Sequence, residues 1–413
     1  MLDPSSIAST PRRIRLGNEV AALGALYRSG RLSRADLARE LRLNRSSSGH
    51  IVAGLTAGGL VREVAVERAG AAAQRAGRPG ILLELVPDAA VFVGIEIGVE
   101  HLGFVELDLA GNVVDRGIEP YDGPSIPLDE AFALAGRWAT GRLSRERWAR
   151  CEGVGVSVPA QMDKTGFIRI APLLGWRDVH PAERLRGALP PGIPVLAQND
   201  ANAFAIGDTY MRGAPRGGVT LFLVMESGIG GGIVVDGTLF RGGNGLAGEI
   251  GHLRLPHEAG GERSLEQVIG REAILSAYRR ASPRSDPSFE QFLADVEDRA
   301  PAAVAIGETW AKALAFGLVQ ACRIVDPDRI VLGGSVALLY PLVAARVAFH
   351  LAEIQEPSFP MPSIVVNENA AFGSAFGAAC MMHQRYLSLE SQRFSEDPVP
   401  ADPPAAGHDP AVP

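Results

Sequence analysis

Two short motifs in the chain carry side chains that suit the binding of a hydroxyl-rich ligand. Asn199 and Asp200 follow a predicted buried strand, PVLAQ, and a carboxylate placed there can accept a hydrogen bond or a proton from a hydroxyl group. Glu249 and His252 lie three residues apart in Gly-Glu-Ile-Gly-His, so both can face one ligand if the segment turns. An Asn-Asp pair can also serve only as a helix cap, and the pattern by itself leaves both roles open.

These motifs lie in two successive α/β segments that repeat one pattern. Each segment opens with a strand, a Gly-containing turn and a second strand, which read VFVGIEIG and HLGFVELD in the first segment and VTLFLVM and IVVDG in the second. Further strands and helices follow in the same order in both. This duplication predicts an α/β fold of the two-lobed actin-like ATPase type, in which ligands bind in the cleft between the lobes.

The N-terminal segment has a different pattern, with three short helices followed by two strands. Gly30 is a plausible stop for the first helix and Ser33 a plausible N-cap for the second. The strands LVREVAVE and ILLELV come after the third helix and form a wing. This order predicts a winged helix-turn-helix whose third helix enters the major groove of double-stranded DNA.

The first turn of the third helix carries the predicted DNA contacts, Arg45, Ser46, Ser47 and His50. Their alternative role is an ordinary polar N-terminal turn. Arg78, between glycines in the wing loop, can lie in a narrow minor groove, although an ordinary linker turn explains it equally well.

The distribution of charge supports a polyanionic partner for the N-terminal segment. Residues 1–80 contain thirteen Arg and six acidic residues (13 − 6 = +7), whereas the remainder contains 27 basic and 41 acidic residues (27 − 41 = −14). The alternative is a solvated basic face. The apolar runs are strand-length, the start of the chain lacks a signal-peptide pattern, and the three cysteines form no CxxC pair. We therefore expect a cytoplasmic protein without a membrane span or a disulfide scaffold.

The segment from QNDANAFAIG to ESGIGGGIVVDGTLFRGGNGLAGEIGH closely resembles the ROK family of repressors, uncharacterised proteins and sugar kinases. APLLGW at 171–176 and IVLGGSVA at 330–337 extend the resemblance, which covers nearly the whole chain to about residue 386. A helix-turn-helix ahead of this fold is the layout of the family's repressors, since its kinases lack that head.

The resemblance implies a role for each candidate cleft residue. In the family's kinases the Asp matching Asp200 takes a proton from the sugar hydroxyl, and the Asn matching Asn199 contacts the sugar. Glu249, His252 and Glu266 match the other sugar-contacting positions. The resemblance thus implies an effector-binding set of five residues, and the alternative is an inherited structure that no longer binds a ligand.

Many family members also bind a structural zinc through the His and a CxCGxxGC motif. Here the segment between His252 and Glu266 contains no cysteine, and Ser264 stands where the last cysteine would be. We therefore expect no zinc and no other cofactor.

The turns that hold ATP phosphates in the family's kinases depart from the family pattern. Where those kinases have Asp-x-Gly-Gly-Thr, this chain has Glu96-Ile97-Gly98-Val99-Glu100. Val99 replaces a glycine of the turn, and Glu100 puts a negative charge in the phosphate zone. Glu226 adds a second acid, in the turn where Gly-Thr-Gly is usual. The substitutions predict a cleft without kinase activity.

Together these inferences predict a DNA-binding transcriptional regulator of carbohydrate metabolism that acts as a homodimer or homotetramer with a sugar or sugar-phosphate effector. The resemblance to the family implies that it is a repressor. The alternatives are an ATP-dependent sugar kinase with an appended helix-turn-helix and a regulator whose body serves only in association. We predict a DNA-binding domain at 1–85, a first lobe at 86–198, a second lobe at 199–388 and a disordered tail at 389–413.

Overall fold

The computed structural model describes residues 11–65, 81–211, 217–256, 261–282, 287–367 and 372–388. The N-terminal head begins with three helices and a short strand and ends with the two strands of the wing. In chain order its elements are α1 (Pro11–Ser29), β1 (Arg31–Ser33), α2 (Arg34–Glu40), α3 (Arg45–Ala57), β2 (Val61–Ala65) and β3 (Ile81–Leu85). Arg78 and the predicted tail lie outside the described residues.

The helix boundaries of the head follow from local capping. Gly30 adopts a φ of 74° and its N–H donates to Leu26 O, which ends α1. Ser33 accepts a hydrogen bond from the N–H of Asp36 and begins α2, and Asn44 begins α3 in the same way. Strand β3 pairs with β2 as predicted, and it also pairs with β1, which the sequence pattern did not reveal.

The first lobe is built on a five-stranded sheet in the order β6-β5-β4-β7-β11, with a three-stranded sheet of β8, β9 and β10 beside it. Its elements are β4 (Val91–Ile97), β5 (His101–Asp108), β6 (Val113–Pro120), α4 (Leu128–Arg142), α5 (Arg145–Trp148), β7 (Cys151–Val158), β8 (Gln161–Met162), β9 (Ile168–Ala171), β10 (Trp176–Val179), α6 (Pro181–Arg186) and β11 (Val195–Asn199).

The second lobe contains a five-stranded sheet in the order β14-β13-β12-β17-β18. Its elements and helices are α7 (Asp200–Tyr210), β12 (Val219–Met225), β13 (Ile229–Val235), β14 (Thr238–Leu239), β15 (Arg254–Pro256), β16 (Glu262–Ser264), α8 (Glu266–Ile269), α9 (Arg271–Ala281), α10 (Phe289–Glu297), α11 (Pro301–Val325), β17 (Arg329–Gly333), α12 (Tyr340–Ile354) and β18 (Ser363–Val366). The chain then continues into α13 (Gly373–Tyr386).

The two large sheets share one topology. In each, the first strand pairs antiparallel with the second and parallel with the fourth, as β4 does with β5 and β7, and β12 with β13 and β17. The fifth strand then extends the sheet in parallel beyond the fourth. The prediction of a duplicated, two-lobed actin-like fold is confirmed.

The last described helix, α13, joins the parts of the molecule. It packs against β4, β5 and β7 of the first sheet and along α7. At Gly377 the two helices are so close that a Cβ atom would lie 1.6 Å from Ala203 O, so only glycine fits there. Buried residues of the head, including Leu26 and Leu83, belong to the same apolar cluster as Phe92 and Cys380. The head therefore rests on a continuous core.

Two helical segments, Pro301–Val325 and Ser335–Ile354, are long and apolar enough to span a membrane by length and composition. In the structure, the first buries 56% of its most apolar window inside the protein and the second 39%. Both segments contribute buried residues such as Trp310, Leu314 and Val347 to the apolar cluster of the second lobe. We therefore assign them as packed helices of a globular lobe.

Candidate functional site

A cavity of about 210 Å³ lies between the two lobes. It is lined by the turn between β4 and β5, the end of β11, the turn between β12 and β13, and the segment that leads to α8. All five residues predicted to bind the effector border this one cavity: Asn199, Asp200, Glu249, His252 and Glu266. The structure thus brings together side chains that are up to 67 positions apart in the sequence.

Asn199 holds the junction between β11 and α7 in place. Its side-chain oxygen accepts from the N–H of Asn202 at 3.0 Å, and its amide nitrogen donates to Ala160 O at 3.1 Å and to Asp200 Oδ1 at 2.8 Å. The amide is therefore a helix cap and a support for the Asp200 carboxyl at the same time. The structure thus shows the helix-cap role that the sequence left open, while contact of Asn199 with a ligand stays a prediction.

Asp200 is a carboxyl group of the cavity whose pKa is strongly raised. Burial raises its pKa, and the nearby carboxylates of Glu96 and Glu249 raise it further, to about 7. A carboxyl group with such a pKa exchanges a proton near neutral pH. It can accept hydrogen bonds from hydroxyl groups when ionised and donate one when protonated.

Glu249, His252 and Glu266 form a contiguous polar wall. The His252 ring lies between the two carboxylates, with Nε2 3.5 Å from Glu249 Oε2 and Nδ1 3.4 Å from Glu266 Oε1. Gln161, whose amide nitrogen lies 3.4 Å from His252 Nε2, extends this wall from the other lobe. Burial raises the pKa of Glu249. The wall offers both donors and acceptors, as the binding of a polyol requires.

The residues after His252 do not fit a zinc ion. Ser264, at the position of a family cysteine, is buried, and its hydroxyl accepts from the N–H of Gln267 at the start of α8. The cysteines of the chain are far away in the sequence, at 151, 322 and 380. Without thiolates near His252, its orientation comes from the two flanking carboxylates.

Glu226 binds hydrogen-bond donors of the second lobe. Its carboxyl oxygens accept from the backbone N–H of Ser335 at 2.6 Å and from the Ser335 hydroxyl at 2.5 Å. Ser335 follows Gly333 and Gly334 at the end of β17, where the chain turns into a short 3-10 helix. An exposed N–H and hydroxyl at such a turn are groups that bind anions, and here the protein's own side chain accepts from both.

Glu100 makes the corresponding contacts across the mouth of the cleft. It lies in the first lobe, and its carboxylate accepts from the Ser227 hydroxyl at 2.7 Å and pairs with the Arg271 guanidinium. Both partners belong to the second lobe. The two acids that the sequence placed in the phosphate zone are therefore engaged in contacts within the protein.

His101 and Glu96 are cavity residues that the sequence reasoning did not single out as a site. His101 Nε2 lies 3.6 Å from Glu96 Oε2. Burial opposes protonation of the ring, but the carboxylates of Glu96, Glu226 and Glu100 outweigh it and raise the pKa of His101 to about 8. The two residues flank the β4–β5 turn, and their spacing in Glu-Ile-Gly-Val-Glu-His was the available signal.

The glycine-rich turns are explained by packing. Val99 does not adopt a positive φ, and the turn closes through Gly98 N–H donating to His101 O, so this turn does not require the glycine that we expected at 99. In the second turn, a Cβ at Gly231 would lie 2.2 Å from Gly248 O. The retained glycine is therefore required by the fold, whether or not phosphate binds.

The head presents the predicted DNA contacts at one end of α3. Arg45, Ser46 and His50 are exposed, whereas Ser47 is partly buried and its N–H donates to the Asn44 side chain. His50 Nδ1 lies 2.8 Å from Ser46 O, which leaves the other ring nitrogen exposed toward solvent. Ser48 is buried, and its hydroxyl has no hydrogen-bond partner among the described residues.

Much of the positive charge of the head is neutralised within the head itself. Five arginines pair with acidic residues there: Arg28 with Glu40, Arg31 and Arg62 with Glu84, Arg34 with Glu63, and Arg39 with Asp36. Within the described part of the head, Arg42 and Arg45 form no ion pair. Arg42, in the turn before α3, is an exposed cation that the sequence reasoning did not single out, and it adopts a φ of 54° in that turn.

Comparison with known proteins places this geometry in context. The family model described as "ROK family" matches residues 92–385. A glucokinase of Halalkalibacterium halodurans is 30% identical over 336 residues, which cover 74% of this chain and 98% of the glucokinase. A xylose repressor of Bacillus spizizenii is 25% identical over 389 residues, covering 90% of this chain and 96% of the repressor. A solved ROK family transcriptional regulator, a homologue of the E. coli MLC protein, has a TM-score of 0.73 at 21% identity, over 92% of this chain and 99% of that one.

Proposed function

The chain belongs to the ROK family, and on that premise we propose that it is a DNA-binding transcriptional repressor of carbohydrate metabolism that senses a sugar or sugar phosphate without phosphorylating it. The observation that carries the proposal is one cavity lined by two sets of side chains. Five of them offer the donors and acceptors that hydroxyl groups need. Two others, Glu226 and Glu100, engage the donors that an anion would use.

The extent of the similarity supports the regulatory role. The xylose repressor aligns with 90% of the chain, whereas the glucokinase aligns with 74%. An alignment over 90% of 413 residues leaves at most about 41 residues outside it, so it includes at least part of the N-terminal head, which supports a shared regulatory role. Arg45 of α3 and Arg42 in the turn before it are both exposed, and such cations suit DNA phosphates and base edges.

An ATP-dependent sugar kinase with an appended helix-turn-helix is the second candidate. The 30% identity to a glucokinase favours it, and so does Asp200, because a carboxyl group with a pKa of about 7 suits a general base. Against it stands the Glu226 carboxylate, which accepts from the Ser335 N–H and hydroxyl. ATP-dependent phosphorylation of a sugar that Asp200→Asn abolishes would establish the kinase and refute the silent cleft.

Helix α7 offers a direct connection between the cavity and the head. Its first residue is Asp200 and its last is Tyr210, about 15 Å away at a rise of about 1.5 Å for each residue. The Tyr210 ring stacks on Tyr27 of α1 at 5.2 Å between centroids, and the Tyr27 hydroxyl donates to Tyr210 O. A ligand that shifts α7 therefore moves the support of the DNA-binding head.

We further propose that the protein acts in the cytoplasm as a homodimer or homotetramer. Two heads related by a two-fold axis would bind two half-sites of a pseudo-palindromic operator. A ligand that changes the spacing of the heads changes the affinity for such a site, which is the coupling that defines an allosteric repressor.

The direct test is calorimetric titration of the full chain with free and phosphorylated sugars, paired with fluorescence anisotropy on operator DNA. We expect at least one sugar to bind, to change the DNA affinity and to lose affinity in Asp200→Ala. The matched control is Asp129→Ala, an exposed carboxylate of α4 outside the cavity. Binding that is equal in Asp200→Ala and wild type would overturn the assignment of the site.

A further inference from the structure

We propose that the cleft is selective for an uncharged sugar and rejects its phosphate ester, because acidic side chains of the protein fill the place into which the phosphate would project. The inference rests on the proposed function and specifies the effector of that site. It decides between the two effector classes, free sugar and sugar phosphate, that the sequence left open.

The acids form a continuous cluster beyond Asp200. Glu96 is close enough to Asp200 to disfavour its ionisation, and His101 is flanked by Glu96, Glu226 and Glu100. A ligand hydroxyl that approaches Asp200 therefore faces this cluster. A phosphate attached to that hydroxyl would extend among three further carboxylates.

The donors that would hold such a phosphate are already engaged. The Ser335 N–H and hydroxyl donate to Glu226, and the Ser227 hydroxyl donates to Glu100. Arg271, the arginine of the cavity wall, pairs with Glu100. A phosphate would have to displace these contacts and leave carboxylates without partners.

The balance of charge points the same way. Six carboxyl groups line the cavity, whereas its basic residues are one arginine and two histidines: Glu96, Glu100, Asp200, Glu226, Glu249 and Glu266 against Arg271, His101 and His252. A dianionic phosphate is repelled by the carboxylates that remain ionised. An uncharged sugar meets no such repulsion, because its hydroxyl groups donate to carboxylate oxygens.

Glu100 is also the residue that spans the cleft. Since it contacts Ser227 and Arg271 of the opposite lobe, it is held at the mouth by both. Glu100→Gln removes the negative charge but keeps the size of the side chain and an oxygen that can accept from Ser227. It therefore tests the repulsion of a phosphate without changing the shape of the cavity. Glu226→Gln makes the same change deeper in the cavity.

The experiment is calorimetric titration of the full chain with matched pairs: D-glucose with glucose 6-phosphate, and N-acetyl-D-glucosamine with its 6-phosphate. D-xylose is added as a free pentose. Wild type, Glu100→Gln and Glu226→Gln are compared with Glu119→Gln, which removes an exposed charge of β6 outside the cavity. Circular dichroism melting confirms that each variant is folded.

We expect wild type to bind a free sugar about 100-fold more tightly than its phosphate ester. In Glu100→Gln and in Glu226→Gln, this ratio of the two affinities should be about tenfold smaller. Glu119→Gln should leave the ratio unchanged. A phosphate that binds wild type as tightly as the free sugar overturns this inference and leaves the proposed function standing. The inference is also overturned if Glu100→Gln and Glu226→Gln are both folded and both keep the wild-type ratio of the two affinities. If no sugar or sugar phosphate binds, the proposed function itself fails and this inference with it.

Discussion

Replacing Asp200 with asparagine should stabilise the protein above neutral pH and remove part of its pH dependence. The ordinary pKa of an aspartate is 3.8, and burial together with Glu96 and Glu249 raises that of Asp200 to about 7. Between these values the folded chain binds a proton that the unfolded chain does not, so stability falls as pH rises. The asparagine amide oxygen can still accept from Asn199, which now donates to Asp200 Oδ1 at 2.8 Å.

The size of the effect follows from the two pKa values. At 1.36 kcal/mol for each pH unit, raising the pKa from 3.8 to about 7 costs about 4 kcal/mol once the group is ionised. For about 300 residues, the entropy of unfolding is roughly 0.6 kcal/mol per kelvin. The melting temperature of wild type should thus fall by roughly 6 °C relative to the variant between pH 4 and pH 8.

Differential scanning fluorimetry of wild type and Asp200→Asn, from pH 4 to pH 8 at constant ionic strength, measures this difference. Glu249 and Glu226 also have raised pKa values, so both proteins keep part of the slope. The difference between the two curves isolates the contribution of Asp200 to the pH dependence of the melting temperature. Asp129→Asn, at an exposed site, serves as the control. Parallel curves for wild type and Asp200→Asn would refute the reasoning, because they would show an ordinary pKa at this site.

Three further changes test other parts of the structure. Arg45→Ala should weaken operator binding about tenfold and reduce the slope of log affinity against log salt concentration by about one. Arg137→Ala, on the body, should change neither quantity. An unchanged slope for Arg45→Ala in anisotropy titrations would contradict the contact. Tyr210→Leu should leave sugar binding within about twofold but abolish its effect on DNA affinity, since it removes the stack on α1; a retained effect would exclude this route. Gly231→Ala should lower stability by about 1–3 kcal/mol in denaturant unfolding, because its Cβ would lie 2.2 Å from a backbone oxygen; a neutral result would show that the segment can shift.

Local features of the chain were predictable from the sequence because their causes are local. Ser33 and Gly30 mark helix boundaries through hydrogen bonds to residues three or four positions away. The strands of both lobes were visible as apolar runs between turns. The small sheet of β8, β9 and β10 was not, since β8 and β10 have only two and four residues.

The meaning of the acidic substitutions was only half visible in the sequence. The positions of Glu100 and Glu226 indicated a damaged phosphate site, but their partners are 171 and 109 residues away. The contact between Glu100 and Arg271 cannot be predicted from a local sequence pattern, because it depends on how the two lobes pack against each other. Which arginines of the head are engaged in ion pairs was hidden for a similar reason, since four of them pair with acids at least 12 residues away in the sequence.

The acidic cavity carries a cost in stability that a bound sugar would offset. Burial raises the pKa values of Asp200, Glu226 and Glu249, so at neutral pH the empty cleft holds carboxyl groups in an unfavourable environment. Sugar hydroxyl groups would donate to Asp200 and Glu249 and thereby favour their ionised forms. Asp200 is the first residue of α7 and Tyr210, which stacks on Tyr27 of the head, is the last. In the regulator that we propose, relief of that unfavourable environment would act on α7 and so link effector binding to DNA affinity without any chemistry on the ligand.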